Sequence, residues 1–564
     1  MKYLFANIFI LLLIVNMSSC KKDNKSFEEK LLSTTELIEV GSKTGTYQFG
    51  VLSNQNMLLE TDVDWITLDT TELAKGKRQV SFQVADNKED ERSGIITVKV
   101  NENLSTQVLV SQESGKVPVF YVSPEGNGDG SSWSSPTAFH TAMEKATSGS
   151  TIHLMEGVYK PVKTIRNGDA SVESDKTFEV SKNISIIGGY AKDAMIGAKP
   201  NASLYKTVLD GNLASGKQAF HTVTITAIKE AESRVYLEGL QITGGNATDR
   251  STNISINGLN FSRGQGGGVA VGGSEVHMKN VEIINNKATA DKGTVGFAAG
   301  LYGFGSANVT MENCKVNDNE NTGNNGGGVW MHTSNLTAYN SQFNRNYAKG
   351  TAGGVHGYPN ANITLYNSEV SYNSNTSYGA GLYLRENSKA IIVNCLMVEN
   401  TSTSKNGGGA VMLYDASSVD IISSTITGNK VAGPGAGVYR RSKVNNLTVI
   451  NSIISGNIQD NASTDVDAYS DNAGIPAVLK SSVIASQVYG EAGTLVSGAS
   501  FNPGTMLSAQ YIPIGSSNPA LTYGLTGSSL SNVGQTYKPA LDDRIKSDKN
   551  ANERTQTVMG ALIK

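Results

Sequence analysis

The sequence predicts an all-β chain: an N-terminal immunoglobulin-like β-sandwich followed by a single-stranded parallel β-helix. Three observations predict it. First, a residue, usually Asn, is followed six positions later by Asn in seven places: Asn280/Asn286, Asn313/Asn319, Asn340/Asn346, Asn367/Asn373, Asn394/Asn400, Ser423/Asn429 and Asn451/Asn457. The steps between copies are 33, 27, 27, 27, 29 and 28 residues. Second, Gly is abundant at 60 residues and charged residues make up only 17%, which suits short strands and turns better than long surface helices. Third, residues 31–114 hold β-rich, mostly alternating segments separated by polar turn residues.

The elements follow in chain order. Lys2 precedes an unbroken apolar run from Ile8 to Val15. That run is too short to span a bilayer as a helix but suits the apolar core of an export signal. It leads into "NMSSC", with small residues before Cys20, and resembles a bacterial lipoprotein signal. The resemblance implies that residues 1–20 are a signal peptide, that Cys20 is lipidated, and that the chain is membrane-held only through its lipid, at the outer membrane and facing the cell surface. An ordinary secretory signal with a stray Cys is the alternative. Residues 21–30 are charged and polar and read as a tether.

Within residues 31–114, "QVSFQV" (79–84), "GIITVKV" (94–100) and "TQVLVSQ" (106–112) read as strands of the sandwich. "DWI" at Asp64–Ile66, "NKEDERSGIITV" at 87–98 and "VLVSQ" at 108–112 resemble a BACON domain, a module common in surface proteins of gut Bacteroidetes. The resemblance implies either sugar binding or a spacer. Trp65 is expected in the core.

Residues 119–564 form the second predicted domain. A strand starts at Phe120, and Phe139 to Ala146 reads as a short amphipathic helix covering the open end of the coil stack, where a bare edge invites aggregation. "GNGDG" (126–130) reads as a turn, with Ca2+ binding the alternative; no other cofactor or metal is expected. Fainter coils follow at "ISIIGGY" and "LEGLQITGGNA". In the repeats, a 27-residue unit of short strands without helical period is one coil, stacked on the next at about 4.8 Å. Asn tolerates a left-handed bend, and its amide can bond the Asn one coil above. Cys314 and Cys395 hold one position in coils three apart, hence about 14 Å apart. A disulfide needs Cα atoms within about 7 Å, so both are expected as free, buried thiols. The region resembles right-handed parallel β-helices of the pectate-lyase type, and its "GGGV" and "FNRN" motifs resemble repeats of polymorphic outer-membrane adhesins. The resemblance implies a right-handed helix and leaves lyases, hydrolases, epimerases and adhesins open.

The strand after each Gly cluster is expected to project its second and fourth residues outward. The second-position column reads Ala270, Tyr302, Trp330, His356, Tyr383, Met412, Tyr439; the fourth reads Gly272, Phe304, His332, Tyr358, Arg385, Tyr414, Arg441. Register at Met412 and Arg441 is open by one residue, with Arg440 the inward alternative. Rings in register suit stacking on pyranose faces, so Tyr302, Phe304, Trp330, Tyr383, Tyr414, Tyr439 and Arg441 are candidate contacts to a polysaccharide, anionic given the arginines. The bland alternative is cross-strand packing alone. β-Elimination on a uronate needs a base, an acid and a cation; His332 or His356, Tyr358 and Arg385 are the candidates in those roles. Hydrolysis needs paired carboxylates; Glu386 and Asp415 stand only at the margin of this face. A net charge of −3 supplies no global field for nucleic acid. The expectation is a surface lipoprotein that binds polysaccharide, as a lyase or as a non-catalytic adhesin or structural surface protein.

Overall fold

The computed structural model describes residues 29–489 and 495, except 88, 90, 114, 116–117, 231–232, 292–293, 443, 451, 461–468, 472–475, 481 and 486. The signal, Cys20, nearly all of the tether and the last stretch of the predicted β-helix lie outside the described residues.

Residues 31–112 fold as two packed sheets. One orders Leu31–Ser33, Gly45–Ser53, Gly76–Val84 and Ile66–Leu68; the other orders Leu37–Val40, Leu104–Gln112, Arg92–Asn101, Met57–Thr61 and Glu72–Leu73. Alternation supplies the core: Val80, Phe82, Ile96, Val98, Val108 and Val110 are wholly buried between the sheets. Trp65 joins that core, and the Arg92 guanidinium lies 4.5 Å from its ring centroid. Its face is therefore not offered to a ligand.

From Val119 the chain coils into a parallel β-solenoid. Among the described residues, the first face has 12 strands, from Val119–Val122 to Val478–Lys480; the second has 12, from Gly157–Tyr159 to Gln487–Tyr489; the third has 10, from Phe178–Val180 to Tyr469–Asp471. A fourth, short sheet of 8 strands lines one corner. A helix at Phe139–Lys145 caps the first coils, with Phe139 against Tyr159 and Phe178.

The paired Asn residues divide their work. In the six pairs from Asn280 to Ser423 the first residue takes the left-handed bend, with φ of 53° at Asn280, 50° at Asn340 and 53° at Asn394. The second forms a buried amide ladder inside the stack. Asn346 Oδ1 accepts from Asn319 N at 3.1 Å and Nδ2 at 3.0 Å, and Asn346 donates likewise to Asn373 Oδ1 at 2.9 and 3.0 Å. The Gly clusters are coupled to this ladder. A Cβ on Gly354 would meet Gly381 O at 2.6 Å and Asn373 Nδ2 at 2.9 Å, so only Gly lets coil and amide approach. The residue after each bend forms a parallel hydroxyl ladder: Cys314 N donates to Ser341 Oγ at 3.0 Å, and Ser341 N to Ser368 Oγ at 3.1 Å. Cys314 and Cys395 occupy that ladder as buried thiols outside any disulfide. Burial pushes the Cys314 thiol up to about 12.

Candidate functional site

The third face carries the predicted columns. Strand pairing puts Ala270, Tyr302, Trp330, His356, Tyr383, Met412 and Tyr439 in one row. Val329 and Met331 point into the main core while Trp330 belongs to a separate cluster outside it. Register also settles the last coil. Arg440 pairs with Leu413 and is buried inside the stack, its Nη1 donating to Asn445 O at 3.0 Å; Arg441 therefore belongs to the outward column.

The expectation that the second-position rings form an exposed platform is corrected. Tyr302, Trp330, His356, Tyr383 and Tyr439 all point outward yet are buried. Trp330 is 4% exposed. It stacks on His356 with centroids 4.7 Å apart, meets Phe297 at 5.1 Å and donates its Nε1 hydrogen to Tyr358 O at 3.1 Å. Phe304 is buried under a hairpin of Asn253–Ile256 and Leu259–Ser262, its ring 4.9 Å from Phe261. A Cβ on Gly272 would meet the Phe261 ring at 2.4 Å, so the hairpin seats only over Gly. These side chains pack a second, external core, and no ring face among them is free for a sugar. His356, sandwiched between Trp330 and Tyr383, is 2% exposed and burial drives its pKa down to about 3. It cannot meet a substrate proton from that position.

The fourth-position column is different. His332, Tyr358, Arg385, Tyr414 and Arg441 are each half-buried. Together they form a ridge in which cation and ring alternate. The Arg385 guanidinium lies 5.2 Å from the Tyr358 ring and 5.6 Å from Tyr414. The Arg441 guanidinium lies 5.1 Å from Tyr414 and 4.8 Å from Tyr378. Tyr378, on the loop before the next Gly cluster, stacks on Tyr383 at 5.9 Å. Sequence reasoning missed Tyr378 because it lies outside the strand period, although its place just before "GAG" repeats the cluster's edge.

Carboxylates enter this ridge, contrary to the reading that they stay at its margin. Asp415 accepts from Arg385 Nε at 2.9 Å, and Glu386 stands 3.2 Å from Arg385 Nη2. Arg385 is thus largely neutralised, whereas Arg441 has no ion pair among the described residues. Burial lowers the pKa of His332, which keeps its imidazole neutral at pH 7. The ring of Tyr358 lies 6.3 Å from it, edge to face. The "GNGDG" segment is a turn: Asp129 Oδ1 accepts from Ser131 N at 3.0 Å and Oγ at 2.8 Å. Among the described residues no group of three or more His, Cys, Asp or Glu is placed to hold a metal, and no helix is long and apolar enough to cross a membrane.

Comparison with known proteins bears on the two domains separately. No curated protein matches the chain. Among solved structures it is similar to the pectate lyase Pel9A, at 16% identity over 69% of this chain and 82% of that one, with a TM-score of 0.36. It is similar to XylC in complex with xylose, at 10% identity over 61% and 69%, TM-score 0.31. It is also similar to a Bacteroides ovatus GH5 xyloglucanase in complex with a XXXG heptasaccharide, at 11% identity over 44% and 84%, TM-score 0.17. Family models are matched at residues 58–113 by BACON, a putative N-terminal binding domain, and at residues 238–396, 298–454 and 351–487 by the right-handed β-helix region. The overlapping placements fit a model sliding along a periodic stack, and the chain is a BACON-type module joined to a right-handed β-helix.

Proposed function

We propose that the protein binds an anionic polysaccharide along the ridge of His332, Tyr358, Arg385, Tyr414 and Arg441, held at the cell surface by a lipid on Cys20. The alternation of cation and ring at one step per coil carries this reading. A coil is about 4.8 Å high, close to the length of one sugar, so successive sugars meet successive ridge residues. Tyr edges and the Arg441 guanidinium offer hydrogen bonds to hydroxyls and carboxylates. Binding without cleavage is favoured because Arg385, the cation nearest His332 and Tyr358, is already held by Asp415 and Glu386.

Elimination on a uronate is the second reading, favoured by the neutral His332 beside Tyr358. His332 would take the proton α to the carboxylate, the C–H electrons would form the new C=C bond, and the C–O bond to the leaving sugar would break as Tyr358 protonates that oxygen. Affinity electrophoresis through polygalacturonate, alginate and chondroitin gels, with ultraviolet detection of unsaturated product, tests both. Retardation without product is expected. Product establishes the lyase; neither retardation nor product on any of the three overturns both readings. Anchoring is tested by Cys20→Ala, which should abolish acylation and release the protein from the membrane fraction. Retention without acylation would sink the anchor.

A further inference from the structure

A cavity of about 590 Å³ lies between the sandwich and the outer side of the first solenoid face, away from the ridge on the third. The sandwich contributes Glu39, Tyr47 and Gln79; the solenoid contributes Tyr236, His277, Glu312, Tyr339 and Tyr366. The volume falls within the roughly 300–1,000 Å³ usual for small-molecule sites, which favour domain junctions.

Two buried polar groups, one from each domain, line this cavity with atoms left out of any hydrogen bond. His277 is 4% exposed, and neither ring nitrogen has a hydrogen-bond partner. Its Nε2 stands 3.7 Å from Glu312 Oε2, beyond hydrogen-bond length. On the sandwich side, Glu39 Oε1 pairs with Arg234 Nε at 2.9 Å, but its Oε2 is buried and unbonded. Buried polar atoms are rarely left unpaired, because each retains most of its desolvation cost. One hydroxyl-bearing guest can donate to Glu39 and meet His277 at once. The walls also supply a platform: Tyr339 and Tyr366, on successive coils, stack with centroids 5.2 Å apart and planes within 9°. Tyr236 donates its hydroxyl hydrogen to Glu238 at 2.8 Å.

We propose that this interdomain cleft is a second, separate sugar site, which takes a neutral saccharide of about two rings with its hydroxyls on His277, Glu39 and Glu312. Charge decides against acidic sugars here. Lys77 and Lys279 line the cavity along with Glu39, Glu238 and Glu312, but the groups at the two open polar positions are carboxylates, Glu312 beside His277 and the unbonded Glu39 oxygen, and Arg234 is engaged by Glu39. A uronate would be buried beside like charges, which costs it its ionised form. The cleft and the ridge therefore select opposite ligands, and the BACON-type module acts as one wall of a site rather than as a spacer.

The test uses the full chain and isothermal titration with xylobiose, cellobiose and mannobiose at millimolar concentration, against digalacturonate. At least one neutral disaccharide should bind saturably and tighter than digalacturonate. His277→Leu, which keeps the volume, and Glu39→Gln, which keeps the shape on the other wall, should each weaken it by about tenfold or more. Lys287→Ala, at an exposed position outside both the ridge and the cleft, should leave it unchanged. Because Glu39→Gln alters the opposite module, it still decides the matter if His277→Leu folds poorly. Saturable binding of none of the three neutral probes, preference for digalacturonate, or indifference to Glu39→Gln would overturn the proposal.

Discussion

Two ladders climb the same coil stack under different rules. Inside, Asn recurs unchanged from Asn286 through Asn457, each Oδ1 from Asn319 onward accepting two hydrogens from the Asn of the coil below. Outside, the matching row runs Tyr302, Trp330, His356, Tyr383, Met412, Tyr439. The inner residue must be identical because its amide bonds both its copy one coil away and a backbone carbonyl of the neighbouring coil, in a site with no room for another shape. The outer residues need only be large and apolar enough to pack, as Met412 between Tyr383 and Tyr439 shows, since loops fill the remaining space. Strict identity therefore marks the ladder that holds the coils together, and chemical variety marks rows whose partners come from elsewhere.

The largest expected effect breaks the inner ladder. Asn346→Ala removes the acceptor of Asn319 N and of one Asn319 Nδ2 hydrogen, one of the two hydrogens that reach Asn373 Oδ1, and the donor to Val316 O, which accepts from Asn346 Nδ2 at 2.8 Å. Urea unfolding should show a loss of about 4 kcal/mol or more; a loss below about 1 kcal/mol would mean that the coils do not depend on it. Trp330→Ala comes next. As a buried ring it should cost about 3 kcal/mol of stability, with glycan retardation falling only as far as the ridge is disturbed. A large loss of binding at unchanged melting temperature would restore it to the contact surface.

A third test compares the junction with the solenoid through pH. Glu113, beside the solenoid, accepts from Thr151 Oγ1 at 2.5 Å, and burial raises its carboxyl to about 7. Its folded pKa exceeds its unfolded value, so its contribution is full below about 4.5 and lost as pH rises through about 7. Stability should fall by about 1–3 kcal/mol over that window, and Glu113→Gln should flatten the slope; an unchanged slope in that variant would remove Glu113 as its source. The smallest effect belongs to the ridge. Arg441→Ala should leave the melting temperature nearly unchanged while weakening binding to an anionic glycan by about 1 kcal/mol, less at high salt. Equal loss at low and high salt would show that charge is not the basis of the contact.

These contrasts also explain what was legible in the chain. Spacing of Asn residues and alternation around Trp330 gave the coils and the direction of the strand side chains from Tyr302 to Arg385, while at Met412 and Arg441 the register came only with the strand pairing. Burial of the outward rings was not legible, because it comes from the Asn253–Ser262 hairpin, an insertion without period, and from Phe297 and Tyr378, which stand before the Gly clusters in a row that holds Asn325 and Thr351 in the coils between. The strand at Gly76–Val84 and its neighbours were readable from alternation alone, since both sheets of the sandwich have one wet face. The cleft was hidden for another reason. Tyr339 and Tyr366 do repeat, each directly before a bending Asn, but nothing local says that another domain packs over them.

The direction of the hydrogen bonds has a mechanical consequence. All coil-to-coil bonds run along the stack axis, while the chain runs across it. A pull on the chain end therefore loads one terminal coil at a time and peels it bond by bond, leaving the coils behind it intact. Between Asn346 and Asn373 a coil holds 27 residues, so each should release about 90 Å of contour length. Under tension the protein is expected to pay out in near-equal steps, behaving as a ratcheted extensible strap whose reach grows while its remaining length stays folded.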